Sequence, residues 1–255
     1  MCRQREDTTL VNEPVYIIGS LLVASLLSAS GALIIVFGEE RLDVWKRYLT
    51  SLSVGAIFGG AFIHLIPRYA AGFGFTQLAG LVVVLSLVGS YALEEVVHWH
   101  CHRHCEFEAF SVTLVVGDAI HNVIDGIIVA SSYYVSLPVG VAATLAIMFH
   151  KVPKEIGDFG VLLQGGISKW RAVEINVLTN VFGFAGAIGV IVFSGVGGLI
   201  GFLLPLAIGN FVYVAGADLL PEIRTEESNS LLQLAIILGG IGIMYGITFL
   251  KPLLS

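Results

Sequence analysis

Residues 139–166 read VGVAATLAIMFHKVPKEIGDFGVLLQGG. An apolar run leads directly into a histidine, two lysines, a glutamate and an aspartate, and a second apolar run follows. Ionisable side chains at bilayer depth cost about 2.5–3.5 kcal/mol each on insertion scales, so they face a protein interior or a water-filled cavity. The stretch therefore predicts a membrane helix with a buried polar face, and its five ionisable residues are candidates for function: His150, Lys151, Lys154, Glu155 and Asp158.

The rest of the chain repeats this apolar pattern. Of its 255 residues, 56% are hydrophobic and 13% are charged, whereas a soluble domain carries about 25% charged residues. A membrane-spanning helix needs about 20 mostly apolar residues. The chain has eight such segments, at about 15–38, 48–69, 77–97, 110–133, 139–162, 171–194, 197–220 and 231–254. Since the loops are short, we expect an all-α polytopic membrane protein, embedded in the lipid bilayer, with one transmembrane domain over residues 1–255. No basic cluster suggests a nucleic-acid partner, and no pattern predicts an enzyme.

The fourth segment carries a polar stripe within GDAIHNVIDGIIVA, residues 117–130. Its polar residues fall at offsets of 0, 3, 4 and 7, so they share one helical face: Asp118, His121, Asn122 and Asp125. The ionisable residues of the fifth segment also share a face. Only about five residues, YVSLP at 134–138, connect the two segments, which makes them antiparallel neighbours. We therefore expect the two polar faces to meet near the middle of the membrane.

The facing residues suit a divalent cation. Imidazole is a ligand for Zn, Cu, Fe and Ni, and carboxylate compensates their charge. His121 and Asp125 lie one helical turn apart and can reach the same ion, and His150 can supply a third ligand from the facing helix. Asn122 can add an amide oxygen. The sequence therefore predicts a metal site shared by the fourth and fifth segments.

Pro153 supports a polar cavity at this depth. Proline removes an amide donor and frees the carbonyl of Phe149, one turn back, and transporters line cavities with such broken helices. Two other interpretations of the polar faces stay open. One is a buried hydrogen-bond network that only holds the two helices together. The other is a proton relay, since chains of Asp and His also mark proton paths.

The two lysines fit metal binding poorly, because an ammonium group is a donor-only point charge that repels a cation. Lys151 precedes Glu155 by four residues, and Lys154 precedes Asp158 by the same interval. Both pairs can therefore neutralise themselves along the helix. A deprotonated lysine that ligates the metal is a further alternative.

Other polar residues are weaker candidates for a transport path. His64 lies near the end of the second segment, Glu174 lies in the sixth, and Asp218 lies near the end of the seventh. Between the third and fourth segments, residues 98–109 contain a His/Cys-rich stretch that we expect to form a loop. Such tracts bind soft or borderline metals, and the candidate ligands are His98, His100, Cys101, His102, His104 and Cys105.

The orientation in the membrane follows from Lys and Arg in short loops. The loops after segments 1, 3, 5 and 7 contain seven basic residues, and the opposite side contains four. We therefore expect both termini outside the cytosol and the 98–109 loop inside it.

The two polar segments resemble a known family. HNVIDG at 121–126 resembles the fourth-helix motif H-N-x-x-D-G of the ZIP (Zrt/Irt-like) metal-ion transporters, and HKVPKEIGD at 150–158 is similar to their fifth-helix motif H-E-x-P-H-E-x-G-D. FIHLIP at 62–67 resembles the family's second-helix pattern, and FVYVAGADLLPEI at 211–223 resembles its seventh-helix signature. The resemblance therefore covers nearly the whole chain.

The resemblance implies uptake of a divalent metal toward the cytosol, across the plasma membrane. The ion is usually Zn²⁺, with Fe²⁺, Mn²⁺ and Cd²⁺ as further possibilities, and no cofactor is tightly bound. It also implies a three-plus-two-plus-three helix arrangement with inverted repeats, and a homodimer. In the family the two motifs build a two-metal centre. Carried over residue by residue, the first site would use His121, Asp125, His150 and position 154. The second would use Asn122, Asp125 and position 151, with Glu155 as a further carboxylate.

The sequence departs from the family pattern at two positions. Lys151 replaces a glutamate, and Lys154 replaces a residue that is often histidine. We infer that the second metal site is absent, that the Lys151 ammonium occupies its space and compensates Asp125, and that the chain moves metal through one main site. Two alternatives stay open. One is a transport-inactive relative that senses or receives a ligand, and the other is a proton-coupled carrier of a small solute.

Overall fold

A computed structural model of the protein describes residues 13–27, 39–104, 107–164, 166–196, 198–223 and 230–249. Within these ranges the regular structure is helical and forms eight helices, α1 to α8. Six of them are uninterrupted or nearly so: α1 Glu13–Leu27, α3 Gln77–His104, α4 Phe107–Val135, α5 Leu137–Gln164, α6 Lys169–Phe193 and α8 Ser230–Ile247. The remaining two contain a π-helical stretch. α2 comprises Glu39–Gly59, π-helical Gly60–Leu65 and Ile66–Phe73, and α7 comprises Leu199–Tyr213, π-helical Val214–Leu219 and Leu220–Glu222.

Six stretches of the described residues are long and apolar enough to cross a membrane. They are Trp45–Phe73, Gln77–Val96, Val115–Val135, Lys169–Phe193, Leu199–Leu219 and Ser230–Ile247. The described part of α1 has 15 residues, and α5 carries the polar run around Pro153. The all-helical, polytopic membrane fold is therefore confirmed. The count of eight spans and the three-plus-two-plus-three arrangement stay predictions.

Two connections differ from expectation. The connector between α4 and α5 is one residue, Ser136, rather than about five, because Pro138 fits the first turn of a helix and α5 can begin at once. The stretch at 98–109, expected to be a loop, is mostly helical. Helix α3 continues to His104 and α4 begins at Phe107, since no Gly or Pro interrupts the chain between Val96 and Cys105.

The helices pack in close pairs, α4 against α6, α2 against α8 and α3 against α7, while α5 packs on α2 and α4. Glycines bring the first two pairs together. A Cβ atom added to Gly126 of α4 would lie 1.9 Å from the carbonyl oxygen of Gly183 in α6. One added to Gly55 of α2 would lie 2.1 Å from the carbonyl oxygen of Ile237 in α8. Small residues permit this backbone contact in membrane helix bundles, so Gly126 fixes α6 directly beside Asp125.

The π-helical stretches of α2 and α7 have a shared cause. Each has six residues and ends one residue before a residue–proline step, Ile66-Pro67 in α2 and Leu220-Pro221 in α7. Proline cannot donate to the carbonyl four residues earlier and its ring crowds that turn, and a wider turn accommodates the mismatch. The two helices therefore share an irregularity that the sequence patterns at 62–67 and 211–223 did not predict.

Pro153 has the expected local effect on α5. It lies inside the helix, so the carbonyl of Phe149 loses its usual helical donor. The hydroxyl of Ser53 in α2 lies 2.7 Å from this carbonyl oxygen and 2.8 Å from the carbonyl oxygen of Leu49 in its own helix, so its single hydrogen is shared between the two acceptors. The Phe149 carbonyl oxygen therefore connects α5 to α2 through a hydrogen bond and does not line a cavity, in contrast to the expectation from the sequence.

Candidate metal centre

The polar faces of α4 and α5 meet, and three of the predicted ligands lie together. The Nε2 atoms of His121 and His150 are 3.2 Å apart. The Oδ2 atom of Asp125 is 3.8 Å from the first and 3.7 Å from the second. Within the described residues this is the group of His, Cys, Asp and Glu side chains whose ligand atoms all lie within 4.8 Å of one another. We call these three residues the trio.

The dimensions of the trio suit zinc. With Zn–N distances of about 2.0–2.1 Å, a tetrahedral site places its ligand atoms roughly 3.3 Å apart, close to the separations in the trio. The Nδ1 atom of His150 lies 3.3 Å from the carbonyl oxygen of Ala146. A carbonyl only accepts, so Nδ1 carries the hydrogen and the lone pair of Nε2 points to the trio. The local helix geometry thus prepares His150 as a ligand.

The Asp125 carboxylate is buried and has no hydrogen-bond partner among the described residues. The residue is only 2% exposed, and the lack of a partner applies to both carboxylate oxygens. A buried carboxylate without donors is strongly destabilising unless a cation compensates it. The donor set and the unsatisfied carboxylate therefore both fit a divalent ion between α4 and α5.

A cavity of about 300 Å³ borders the trio. It lies between α3, α4, α5 and α7, and its charged lining residues are Glu94, Asp118, Lys154, Asp158 and Asp218. His121 also lines it, with a side chain that is 20% exposed, against 3% for His150 and Asp125. His121 is therefore the trio member most open to this cavity, whose lining contains four carboxylates and one ammonium group.

Lys151 lies outside the trio and is held by amide oxygens. Its ammonium therefore does not pair with Asp125 as expected, since neither oxygen of Asp125 has a partner among the described residues. Its ammonium donates to the side-chain oxygens of Asn122 in α4 and Asn180 in α6. The expected direct pair with Glu155 is replaced by a bridge, because Asn180 accepts from Lys151 and donates its Nδ2 to the Oε1 atom of Glu155 at 3.0 Å. An amide can serve both groups at once, since it offers a donor and an acceptor. Asn122 and Glu155 are buried and belong to this network rather than to the trio.

Lys154 forms the ion pair expected from its spacing and a second one. Its ammonium lies 2.8 Å from the Oδ2 atom of Asp158, four residues along α5, and it also donates to the Oδ1 atom of Asp118 in α4. The other carboxylate oxygen of Asp118 accepts from Asn122 at 3.1 Å. Position 154 is therefore turned away from the trio and toward the cavity.

The weaker candidates lie in different places. His64 is buried in the π-helical stretch of α2, where its Nε2 atom is 2.7 Å from the carbonyl oxygen of Met244 in α8. Glu174 is on an exposed face of α6, and Asp218 is exposed at the cavity rim. For the His/Cys run, the structure describes a helical backbone from His98 to His104, and the side chains and Cys105 lie outside what it describes.

Some residues of the site were not predicted. Asn180 shares a polar face of α6 with Asn176, but nothing local in the sequence shows that it receives Lys151. The Tyr213 hydroxyl of α7 donates to Glu94 of α3, and Asn210 donates to Ser90 across the same two helices at 3.2 Å. These pairs line the cavity. The available signal was polar residues at helical spacing on two apolar segments, which does not identify their partners.

Fold and site together define a class of protein. This is a polytopic membrane protein whose centre brings together two imidazoles and an unsatisfied carboxylate beside an acidic cavity. The donor types of this arrangement are those that suit a divalent cation at membrane depth.

Comparison with known proteins agrees with this class. The family model described as ZIP zinc transporter matches residues 104–248. The zinc transporter ZIP13 of Gallus gallus is 34% identical over 274 residues, with 81% of this chain and 74% of the relative covered. ZIP13 of Pongo abelii is 29% identical over 265 residues, with 94% and 79% covered. The zinc transporter SLC39A7 of Rattus norvegicus is 35% identical over 149 residues. That match covers 54% of this chain and 31% of the relative, so the chain spans less than a third of its length.

The chain belongs to the ZIP zinc transporter family. Members of this family are membrane transporters, so the expectation that the chain is not an enzyme is confirmed by its membership. The matched range includes the motifs at 121–126 and 150–158.

Proposed function

We propose that the protein carries a divalent metal ion, zinc by preference, across a membrane through the trio. The observation that carries this proposal is the buried carboxylate of Asp125, which finds no hydrogen-bond donor in the described part of the chain and lies 3.7–3.8 Å from two imidazole nitrogens. The naming of the relatives as zinc transporters supports zinc. Fe²⁺, Mn²⁺ and Cd²⁺ are further candidate ions, since imidazole and carboxylate accept several divalent metals.

The proposed centre holds one main ion rather than two. Asn122 and Glu155 would otherwise be ligands of a second ion, and both are engaged around Lys151. The ammonium brings one positive charge to Asn122 and Asn180, which opposes a second cation at the same place. Three protein ligands and one open position suit an ion that must bind and leave.

The direction and setting of transport are also part of the proposal. The excess of basic residues in one set of loops supports an orientation with both termini outside the cytosol. Movement toward the cytosol and a place in the cell membrane are proposed from the family resemblance alone. The inverted repeat is supported by the π-helical stretches in α2 and α7, each followed by a proline at the same interval. A homodimer stays a prediction.

Uptake into vesicles tests the proposal. Purified protein in liposomes should accumulate radiolabelled zinc, and replacement of His121 or His150 with alanine should reduce the rate at least about tenfold, as expected for loss of a metal ligand. Fe²⁺ and Mn²⁺ are measured in parallel to rank the ions. The Glu174→Gln variant, on an exposed face of α6, is the control and should transport normally.

Three results would contradict transport through the trio. If zinc, iron and manganese uptake by the unaltered protein does not exceed that of the alanine variants, the protein is not a carrier of these ions. Flux that is driven by a pH gradient and needs no metal would instead support the proton-coupled carrier. A folded protein without flux and without zinc at the trio would support the sensor or receptor, in which Lys151 and Lys154 would lock the site.

A further inference from the structure

The cavity beside the trio contains a cation of the protein itself. The Lys154 side chain is 25% exposed and its ammonium lies between two carboxylates, Asp118 at 8% exposure and Asp158 at 16%. These carboxylates come from different helices, α4 and α5. An ammonium group only donates and carries one positive charge, so its position shows that the pair of carboxylates accepts a cation.

The two carboxylates lie on the route of an ion. Asp118 is three residues before His121, on the same face of α4, and both line the cavity with Asp158. His121 is the trio member that the cavity exposes most. An ion that moves between the trio and the cavity therefore passes from His121 to the carboxylate pair, which is where Lys154 is bound.

The chemistry of the pair suits the same kind of ion. Two carboxylates from facing helices offer up to four oxygen ligands, and carboxylates bind divalent metals together with water. The ammonium of Lys154 and a divalent ion cannot share these oxygens, because like charges at contact distance repel strongly in a partly buried site. Occupation by one therefore excludes the other.

We propose that Asp118 and Asp158 form a transfer site for the transported metal ion, and that the Lys154 ammonium occupies this site whenever the ion does not. The inference rests on the metal transport proposed above. Lys154 is on a flexible four-carbon chain and stays attached to α5, so it can leave the carboxylates and return to them. It competes with the metal ion for Asp118 and Asp158, and it neutralises their negative charge while no metal ion is bound there.

The charge of Lys154 can be removed by substitution in a protein whose trio no longer binds metal, so that any added metal is bound elsewhere. The reference is the full-length His121→Ala/His150→Ala protein with Lys154 intact, called the background. The metal that it binds, including any bound by the His/Cys run, is subtracted from all other measurements. Adding Lys154→Gln, which keeps a hydrogen-bond donor but removes the charge, should add one zinc or manganese ion per chain. Equilibrium dialysis with metal analysis measures the difference.

Two matched variants show where the added ion binds. Adding Asp118→Asn to the Lys154→Gln protein should lower its affinity for the added ion at least tenfold. Lys154→Arg keeps a cation between the carboxylates and should add no ion. If Lys154→Gln misfolds, Lys154→Met is used with zinc present during purification, and zinc should then raise its melting temperature more than that of the background protein.

The proposal is overturned if neither Lys154 variant binds more metal than the background, or if Asp118→Asn leaves the added ion in place. This outcome is separate from failure of the proposed function. Zinc uptake by the unaltered protein depends on the trio, whereas the added ion is measured in protein that lacks both histidines.

Discussion

At the scale of single residues, Lys151 decides how many ions the centre can hold. Its ammonium donates to the side-chain oxygens of Asn122 and Asn180, and the Asn180 side-chain nitrogen donates to Glu155. Such a network is favourable to the extent that its buried polar groups satisfy one another. One oxygen of Glu155 stays without a hydrogen-bond partner among the described residues. A negative side chain at position 151 would turn the same pocket into a cation site.

Lys151→Glu should therefore bind one more zinc ion per chain than the unaltered protein. The new carboxylate joins Asn122 and Glu155, and a divalent ion relieves the repulsion between the two glutamates. Metal analysis after equilibrium dialysis measures the difference. Lys151→Gln removes the ammonium without adding a negative charge and should show no gain.

Equal metal content in the Lys151→Glu and Lys151→Gln proteins would refute this account of Lys151. Adding Asp158→Asn to Lys151→Glu should leave the gained ion in place, because Asp158 pairs with Lys154 and lines the cavity. This control separates the pocket around Lys151 from the proposed transfer site.

The trio residues and the pairing of Lys154 with Asp158 could be predicted, because helical periodicity places residues three and four apart on one face. The short connection between α4 and α5 then makes the two faces meet. The partners of Lys151 could not be predicted in full, since Asn180 comes from α6 and local spacing carries no information on contacts between distant segments. The same limit applies to Tyr213 with Glu94.

At the scale of helices, the bundle is held by close backbone contacts and by the acceptor that Pro153 frees. The Ser53 hydroxyl of α2 donates to the Phe149 carbonyl oxygen of α5. Gly126 of α4 has no side chain, which lets the backbone of α6 approach closely. Both contacts lie next to the residues of the trio along the chain. The same helices that bury the polar faces therefore also fix their separation.

Ser53→Ala should lower the free energy of unfolding by about 1–3 kcal/mol, since the Phe149 carbonyl would be left buried without a donor. Thermal or denaturant unfolding in detergent measures the change. Ser51→Ala is the matched control on the same helix, because the Ser51 hydroxyl bonds only within α2, to the carbonyl of Arg47 at 2.9 Å. Similar losses in both variants would show that Ser53 does not join the helices.

Gly126→Ala should destabilise the protein by about 1–3 kcal/mol, as overpacked sites do, and should weaken zinc binding at the trio. The added methyl group would meet the Gly183 carbonyl oxygen at 1.9 Å, so α6 has to move away from Asp125. Gly189→Ala on α6 is the control, as nothing lies within 4 Å of its added Cβ atom. Normal stability and normal zinc affinity in Gly126→Ala would contradict the close packing of α4 and α6.

The helical irregularities show what sequence periodicity leaves out. The apolar segments predicted where helices lie, but not that α2 and α7 widen into π-helical turns before Pro67 and Pro221. These turns depend on how the neighbouring helices hold the chain around each proline. The extension of α3 to His104 has a simpler reason. A run rich in His and Cys suggests a loop, but it contains no Gly or Pro that would end the helix.

At the scale of the whole molecule, the protein combines lipid-facing apolar helices with a polar centre between α4, α5 and α6. The described part of α3 illustrates the first feature, since most of its apolar side chains are exposed or half-buried. The second is a continuous set of buried polar contacts from Asn180 through Lys151, Asn122 and Asp118 to Lys154. A bilayer tolerates such a set only in the protein interior, where it can serve the passage of an ion.

The location of bound zinc tests the central claim most directly. Crystals of the unaltered protein grown with zinc should show anomalous scattering at the zinc edge between Nε2 of His121, Nε2 of His150 and the Asp125 carboxylate. The peak should be absent from His121→Ala/His150→Ala protein that is still folded. Zinc bound elsewhere in a folded protein, with no peak at these three side chains, would contradict the account.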